Sequence, residues 1–113
     1  MSSYIEIVSA DVPSTVAMHE QVLGLTFSEP DDDLGGARAA SLPDGSLLGV
    51  RGPLAEHDVP IVRVYFGVRD IAAAVSAAEA GGAVVAYGPV EQGARGSFAI
   101  VIDAGVQTGY WQS

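Results

Sequence analysis

The hydrophobic and polar positions of this chain follow two alternating periods, and that alternation occurs twice. Tyr4-Ile5-Glu6-Ile7-Val8 alternates with period 2, the pattern of a strand with one buried face. Asp11 and Pro13 follow, a carboxylate that can cap a helix and a ring whose fixed φ suits the first turn. Val12, Val16 and Leu23 then fall near helical spacing, and Gly24 stands where a helix commonly ends in a left-handed residue. The pattern predicts a helix over Pro13 to Leu23. Three short strands are predicted next, at Leu25 to Ser28, Ala37 to Leu42 and Ser46 to Arg51. The turn signals between them are Pro30-Asp31-Asp32-Asp33 with Gly35-Gly36, then Pro43-Asp44-Gly45. Gly52 to Pro60, proline-bearing and charged, reads as a linker.

The order then repeats. Arg63 to Val68 alternates again, Asp70 opens a second helix over Ile71 to Ala80, and Gly81-Gly82 ends it. Val84 to Tyr87, Ser97 to Ile102 and Gln107 to Gln112 are predicted strands, with Gly88-Pro89, Gly93 to Gly96 and Asp103-Ala104-Gly105 as turns. One offset of 59 positions pairs Ile5 with Val64, Ile7 with Phe66, Asp11 with Asp70, Val16 with Val75 and Glu20 with Glu79. The chain is thus read as one α+β domain built from a duplicated strand–helix–three-strand module. The first module covers about 1–52, the linker about 53–60 and the second module about 61–113.

Composition narrows the function classes. The 113 residues suffice for one domain with a core. Five basic against 14 acidic residues give a formal net charge of −9. Such a field repels phosphate backbones and anionic lipid, so neither nucleic acid nor membrane is an expected partner. It would draw a cationic ligand, although acidic charge more often serves solubility. The absence of cysteine removes disulfides, thiolate metal sites and cysteine nucleophiles. The start, MSSYIEIV, has no basic segment followed by an apolar run, which predicts no secretory signal and a cytoplasmic protein.

The stretch Tyr4 to Leu25, with Ala10-Asp11-Val12 and His19-Glu20-Gln21-Val22-Leu23-Gly24-Leu25, resembles the opening of a glyoxalase/bleomycin-resistance domain, the vicinal oxygen chelate superfamily. Val64-Tyr65-Phe66-Gly67-Val68-Arg69-Asp70-Ile71 resembles that family's second module, and Asp103 through Gly109-Tyr110-Trp111-Gln112 its final strand. The resemblance implies two βαβββ modules whose strands form a curved, incompletely closed barrel of mixed sheet, with helices outside and a cleft inside. It also implies pairing as a homodimer. Catalytic relatives hold one divalent metal through four side chains on the first and last strands of each module.

By that resemblance the first-strand ligands would fall on Tyr4 and Arg63, and the last-strand carboxylates on Gly49 and Gly109. The turn at Asp103 to Val106 is one residue shorter than the family's, which could move the last position onto Thr108 or Tyr110. None of these residues is a ligand for a hard cation, which needs imidazole or carboxylate at about 2.0–2.3 Å. No metal and no cofactor are expected. His19 reads as a helix-surface or packing residue, and His57, between Glu56 and Asp58 in the linker, as solvent-exposed.

Period 2 indicates what lines the cleft instead. With Ile5, Ile7, Val64 and Phe66 turned to the helices, Tyr4, Glu6, Arg63 and Tyr65 face inward. Trp111 shares the face of Gly109, and Gly49 and Gly109 would leave room for a ligand near the sheet. This set suits a planar or aromatic small molecule, cationic by the charge argument, with Glu6 and Arg63 orienting its polar groups. The alternative is a Glu6–Arg63 ion pair that closes a cleft filled by aromatics. Metal-independent binding, of the drug-sequestering kind the resemblance implies, is the leading expectation. A glyoxalase-like lyase, isomerase or dioxygenase using the same cleft is the competing one.

Overall fold

The computed structural model describes residues 2–113; Met1, at the start of the first module, lies outside the described residues. The strands are β1 (Tyr4–Val8), β2 (Arg38–Ser41), β3 (Leu47–Arg51), β4 (Ile61–Gly67), β5 (Val84–Glu91), β6 (Ser97–Asp103) and β7 (Val106–Gln112). Helix α1 spans Val12–Leu23 and α2 spans Ile71–Ala80. All seven strands join one mixed sheet in the order β2-β3-β1-β4-β7-β6-β5, whose two ends do not pair with each other. The architecture is α+β, as the two-module pattern predicted. None of the helices is long and apolar enough to cross a membrane, among the described residues.

Both helices begin where the sequence placed a cap. The Asp11 carboxylate accepts from Ser14 N at 3.1 Å, and Asp70 does the same for Ala73 N at 3.0 Å. Each satisfies a donor that the first helical turn leaves free. Gly24 ends α1 at φ 67°, in the left-handed region that glycine enters without a Cβ penalty. At Pro43-Asp44-Gly45 the predicted turn closes the β2–β3 hairpin. There Leu42 N donates to Ser46 O, and Asp44 Oδ1 accepts from Ser46 N.

The sheet is organised about its centre. β1 and β4 run antiparallel with Tyr4 opposite Tyr65 and Glu6 opposite Arg63, while β1–β3 and β4–β7 are parallel. The 59-residue offset makes Tyr4 equivalent to Arg63, and Glu6 to Tyr65. An antiparallel pair between equivalent strands therefore crosses them. Aromatic therefore meets aromatic and charge meets charge across the β1–β4 pair.

Two apolar layers cover the outer face. Val16 of α1 packs with Phe27, Ala40, Leu48 and Val50, joined by Ile5 and Ile7. Ile71 and Val75 of α2 pack on Ala99, with Val85 and Tyr110 beside them. On the inner face Tyr4, Tyr65 and Phe98 cluster with Leu34, Ala37 and Ala39.

Three expectations are corrected. Leu25–Ser28 is not a strand. Ser28 N bonds to Ala39 O, but the return donor, Ala39 N, goes to the Ser28 hydroxyl at 3.1 Å instead of a backbone carbonyl. A side chain competing for the ladder leaves seven strands where the modular pattern gave eight. Gly88-Pro89 is not a turn between strands but part of β5, which shifts register against β6 there and continues to Glu91. Proline is tolerated because β5 is an edge strand and needs no second ladder. Phe66 faces outward as predicted yet is 51% exposed, because α1 and α2 lie over other strands.

Candidate functional site

The inner face of the sheet holds a cavity of about 390 Å³. Its floor is aromatic. Tyr4 and Tyr65 stack with ring centroids 5.6 Å apart, and Phe98 meets Tyr65 edge-on at 5.4 Å. One wall is ionic. Glu6 stands between two guanidiniums: Arg51 Nε donates to Oε2 at 3.0 Å, and Arg63 Nη1 donates to Oε1. The Tyr65 hydroxyl also donates to Oε1, at 3.3 Å. Arg51 Nη1 reaches Asp58 Oδ2 at 2.6 Å, and that oxygen accepts from Leu54 N at 2.9 Å. Arg63 Nε donates to Gln107 Oε1 at 2.9 Å. Glu6, Arg51 and Arg63 are all buried.

Charges at such depth persist only when paired, and the titration behaviour follows. Burial works against the Arg51 charge, but the hydrogen bonds to Asp58 and Glu6 outweigh it and raise the pKa. Burial likewise favours neutral Asp58, yet the Arg51 hydrogen bond and the Leu54 amide hold its carboxyl below the usual range. Tyr65 is pushed up to about 12, first by burial and then by the negative charge of Glu6. Tyr4 is raised further still, for the same two reasons.

The inward-facing set predicted from period 2 is thus brought together only in part. Tyr4, Glu6, Arg63 and Tyr65 line the cavity, whereas Gly49, Gly109 and Trp111 do not. The room at the two glycines is already filled. A Cβ on Gly49 would overlap the Tyr4 hydroxyl and ring edge, and one on Gly109 would overlap the Tyr65 ring. Each tyrosine side chain lies against a glycine of a last strand, so no ligand can approach the sheet there. Trp111 stacks on Phe98 at 5.8 Å and 7°, and its indole N–H donates to Arg95 O at 2.7 Å. It supports the floor from outside the cavity. The predicted alternative, a Glu6–Arg63 ion pair, is present, and the cavity stays open beside it.

Sequence reasoning missed Arg51, Asp58, Gln107 and Phe98 as lining residues. Two were within reach of the period-2 argument. Arg51 shares the face of Gly49, and Gln107 the face of Gly109. Asp58 was not, because a linker has no period. His57 is exposed, as expected, at the cavity's edge.

Streptomyces coelicolor methylmalonyl-CoA epimerase, solved with 2-nitronate-propionyl-CoA, superposes with TM-score 0.70 at 22% identity, covering 97% of this chain and 94% of that one. Mycobacterium tuberculosis methylmalonyl-CoA epimerase gives TM-score 0.74 at 18% identity, over 96% of this chain and 85% of that one. A hypothetical protein of Bacillus halodurans C-125 gives 0.73 at 18%, over 100% and 96%. The chain has the vicinal oxygen chelate fold. No family model and no curated protein matches it. At these identities the likeness concerns architecture, and activity has to be read from the site.

The vicinal oxygen chelate fold implies a metal at the centre of this face, and the residues present do not fit one. Among the described residues no three His, Cys, Asp or Glu side chains converge as a metal would need. At Gly49 and Gly109, tyrosine rings occupy the volume that carboxylate side chains would need. Glu6, the one carboxylate on a first strand, is held by two guanidiniums whose charge opposes a cation's.

Proposed function

We propose that this chain binds a small, flat organic molecule in the inner-face cavity without a metal, in the manner of a sequestering protein rather than a metal-dependent enzyme. The observation that carries the reading is the conjunction of an open cavity of about 390 Å³ with an ion network in place of a ligand set. That volume lies in the range typical of small-molecule sites, which are apolar with a few fixed polar groups. Tyr65, Phe98, Leu34 and Ile100 supply the apolar surface, and the Glu6 network the fixed groups. Drug sequestration of the bleomycin-resistance kind, by a homodimer, is the specific form this reading takes.

Two measurements test it. The chain has one tryptophan, stacked on a cavity-lining phenylalanine, so binding should change its intrinsic fluorescence. A saturable change with flat aromatic compounds, in protein stripped of metal by chelator, is the expected result. Stoichiometric nickel, zinc, iron or manganese in purified protein, removed only with loss of binding, would overturn the reading in favour of a lyase, isomerase or dioxygenase.

A further inference from the structure

The charge of the ligand can be argued from hydrogen-bonding atoms that the protein leaves free; this argument rests on the binding reading above. Over the whole chain the net charge of −9 favours a cation. The acidic run Asp31-Asp32-Asp33, its most conspicuous source, is not at the cavity. Asp31 instead pairs with Arg95 at 2.8 Å, and Asp33 accepts from Ala94 N at 3.3 Å, tying the first module to the second.

At the cavity wall the balance is different. Three of the four carboxylate oxygens are engaged, Asp58 Oδ1 being the one that accepts no hydrogen bond among the described residues. Both Glu6 oxygens accept from protein donors, and Asp58 Oδ2 accepts from two. The donors, by contrast, exceed their partners. Arg51 uses Nε and Nη1, and Arg63 uses Nε and Nη1, so neither Nη2 makes a hydrogen bond among the described residues. Gln107 accepts from Arg63 through Oε1, and its amide nitrogen is a further donor with no hydrogen bond among the described residues. The Tyr4 hydroxyl lies against Gly49, closed to solvent, and is not part of this set.

We infer that the cavity takes a planar aromatic compound bearing a carboxylate or comparable acceptor group, with the Arg51 and Arg63 guanidiniums and the Gln107 amide receiving that group and the aromatic floor receiving its ring. Glu6 then has a defined part. It fixes both guanidiniums, so their free edges are oriented before the ligand arrives, which lowers the ordering cost of binding. A cationic group at the same wall would meet two fixed guanidiniums at close range, and three of the four carboxylate oxygens there are already bonded to them, which leaves only Asp58 Oδ1 to receive it.

The test compares three bicyclic compounds of one shape, 2-naphthoate, 2-naphthamide and 2-naphthylmethylamine, by isothermal titration against the full chain at low salt. The carboxylate should bind at least about tenfold more tightly than the ammonium compound, since charge-assisted hydrogen bonds are the strong ones. A Gln107→Glu variant adds a carboxylate at an exposed position beside Arg63 without disturbing the core. It should weaken the carboxylate at least about tenfold and narrow its lead over the amine. If the amine binds most tightly, the ligand class is overturned while the binding reading stands. If none of the three binds, both fall. If the carboxylate leads but Gln107→Glu leaves its affinity unchanged, the acceptor group sits elsewhere and the assignment to this wall is wrong.

Discussion

Alanine in place of Gly49 should destabilise this protein through one contact, the overlap with Tyr4. In the structure the Cβ of such an alanine falls inside the Tyr4 hydroxyl and ring edge, the ring itself being 2% exposed and bounded by Tyr65, Phe98 and Trp111. The ring therefore has little freedom to move aside. Overpacking of this kind costs about 1–3 kcal/mol. Against it stands roughly 0.5–1 kcal/mol from the lower chain entropy of alanine in the unfolded state. The net expectation is a loss of about 1–2 kcal/mol, or about 4–8 °C in Tm for a domain of this size. Urea titration of the parent, Gly49→Ala, Tyr4→Leu and the double variant isolates the contact. Leucine removes the ring atoms that the new Cβ would meet, so in that background Gly49→Ala should be neutral or stabilising. A coupling of about 1–3 kcal/mol between the two positions is expected. Gly49→Ala as stable as the parent, or equally costly in both backgrounds, would refute the steric account.

The other predictions concern the polar groups of the same face. Tyr4→Phe removes a buried hydroxyl that has no partner among the described residues, so stability should be unchanged or rise by up to roughly 1 kcal/mol; a clear loss in urea titration would mean the hydroxyl is bonded in solution. Glu6→Gln removes the charge that Arg51 and Arg63 share and should cost about 3–5 kcal/mol, since breaking a buried ion pair leaves uncompensated charge behind; a loss below about 1 kcal/mol would show that solvent reaches the guanidiniums. For pH, Asp31 is held below its ordinary 3.8 by the Arg95 hydrogen bond. A carboxylate depressed on folding contributes stability above its unfolded value and loses it as pH falls through the folded one. Stability should therefore decline below about pH 4, and Asp31→Asn should flatten that decline by no more than about 1 kcal/mol, because the pair is partly exposed. Urea midpoints for both proteins between pH 7 and pH 2.5 check it.

Much of the scaffold was legible because local chemistry dictates it. Asp11 and Asp70 can each satisfy a helix's free amides, Gly24 can enter the left-handed region, and Pro43-Asp44-Gly45 can close a hairpin, whatever surrounds them. The period-2 pattern of β1 and β4 likewise assigned Tyr4, Glu6, Arg63 and Tyr65 to one face, since alternation is a property of an extended chain. The same reasoning failed where a side chain or a neighbour intervened. Ser28 diverted a ladder donor to its own hydroxyl, and Gly88-Pro89 became a bulge because β5 happened to lie at the sheet's edge.

The contents of the cavity were decided by tertiary structure alone. The sequence alone determined that the glycines at 49 and 109 carry no metal ligand. It did not say that Tyr4 and Tyr65 would lie across them, because which strand pairs with which, and in what register, is a long-range property. Nor did it bring Asp58 to Arg51, since a linker's path is set by what it packs against rather than by any period of its own. Glu6 shows the division most plainly: alternation placed it inside, but only the antiparallel register of β1 with β4 and the parallel register of β1 with β3 put a guanidinium on each of its oxygens.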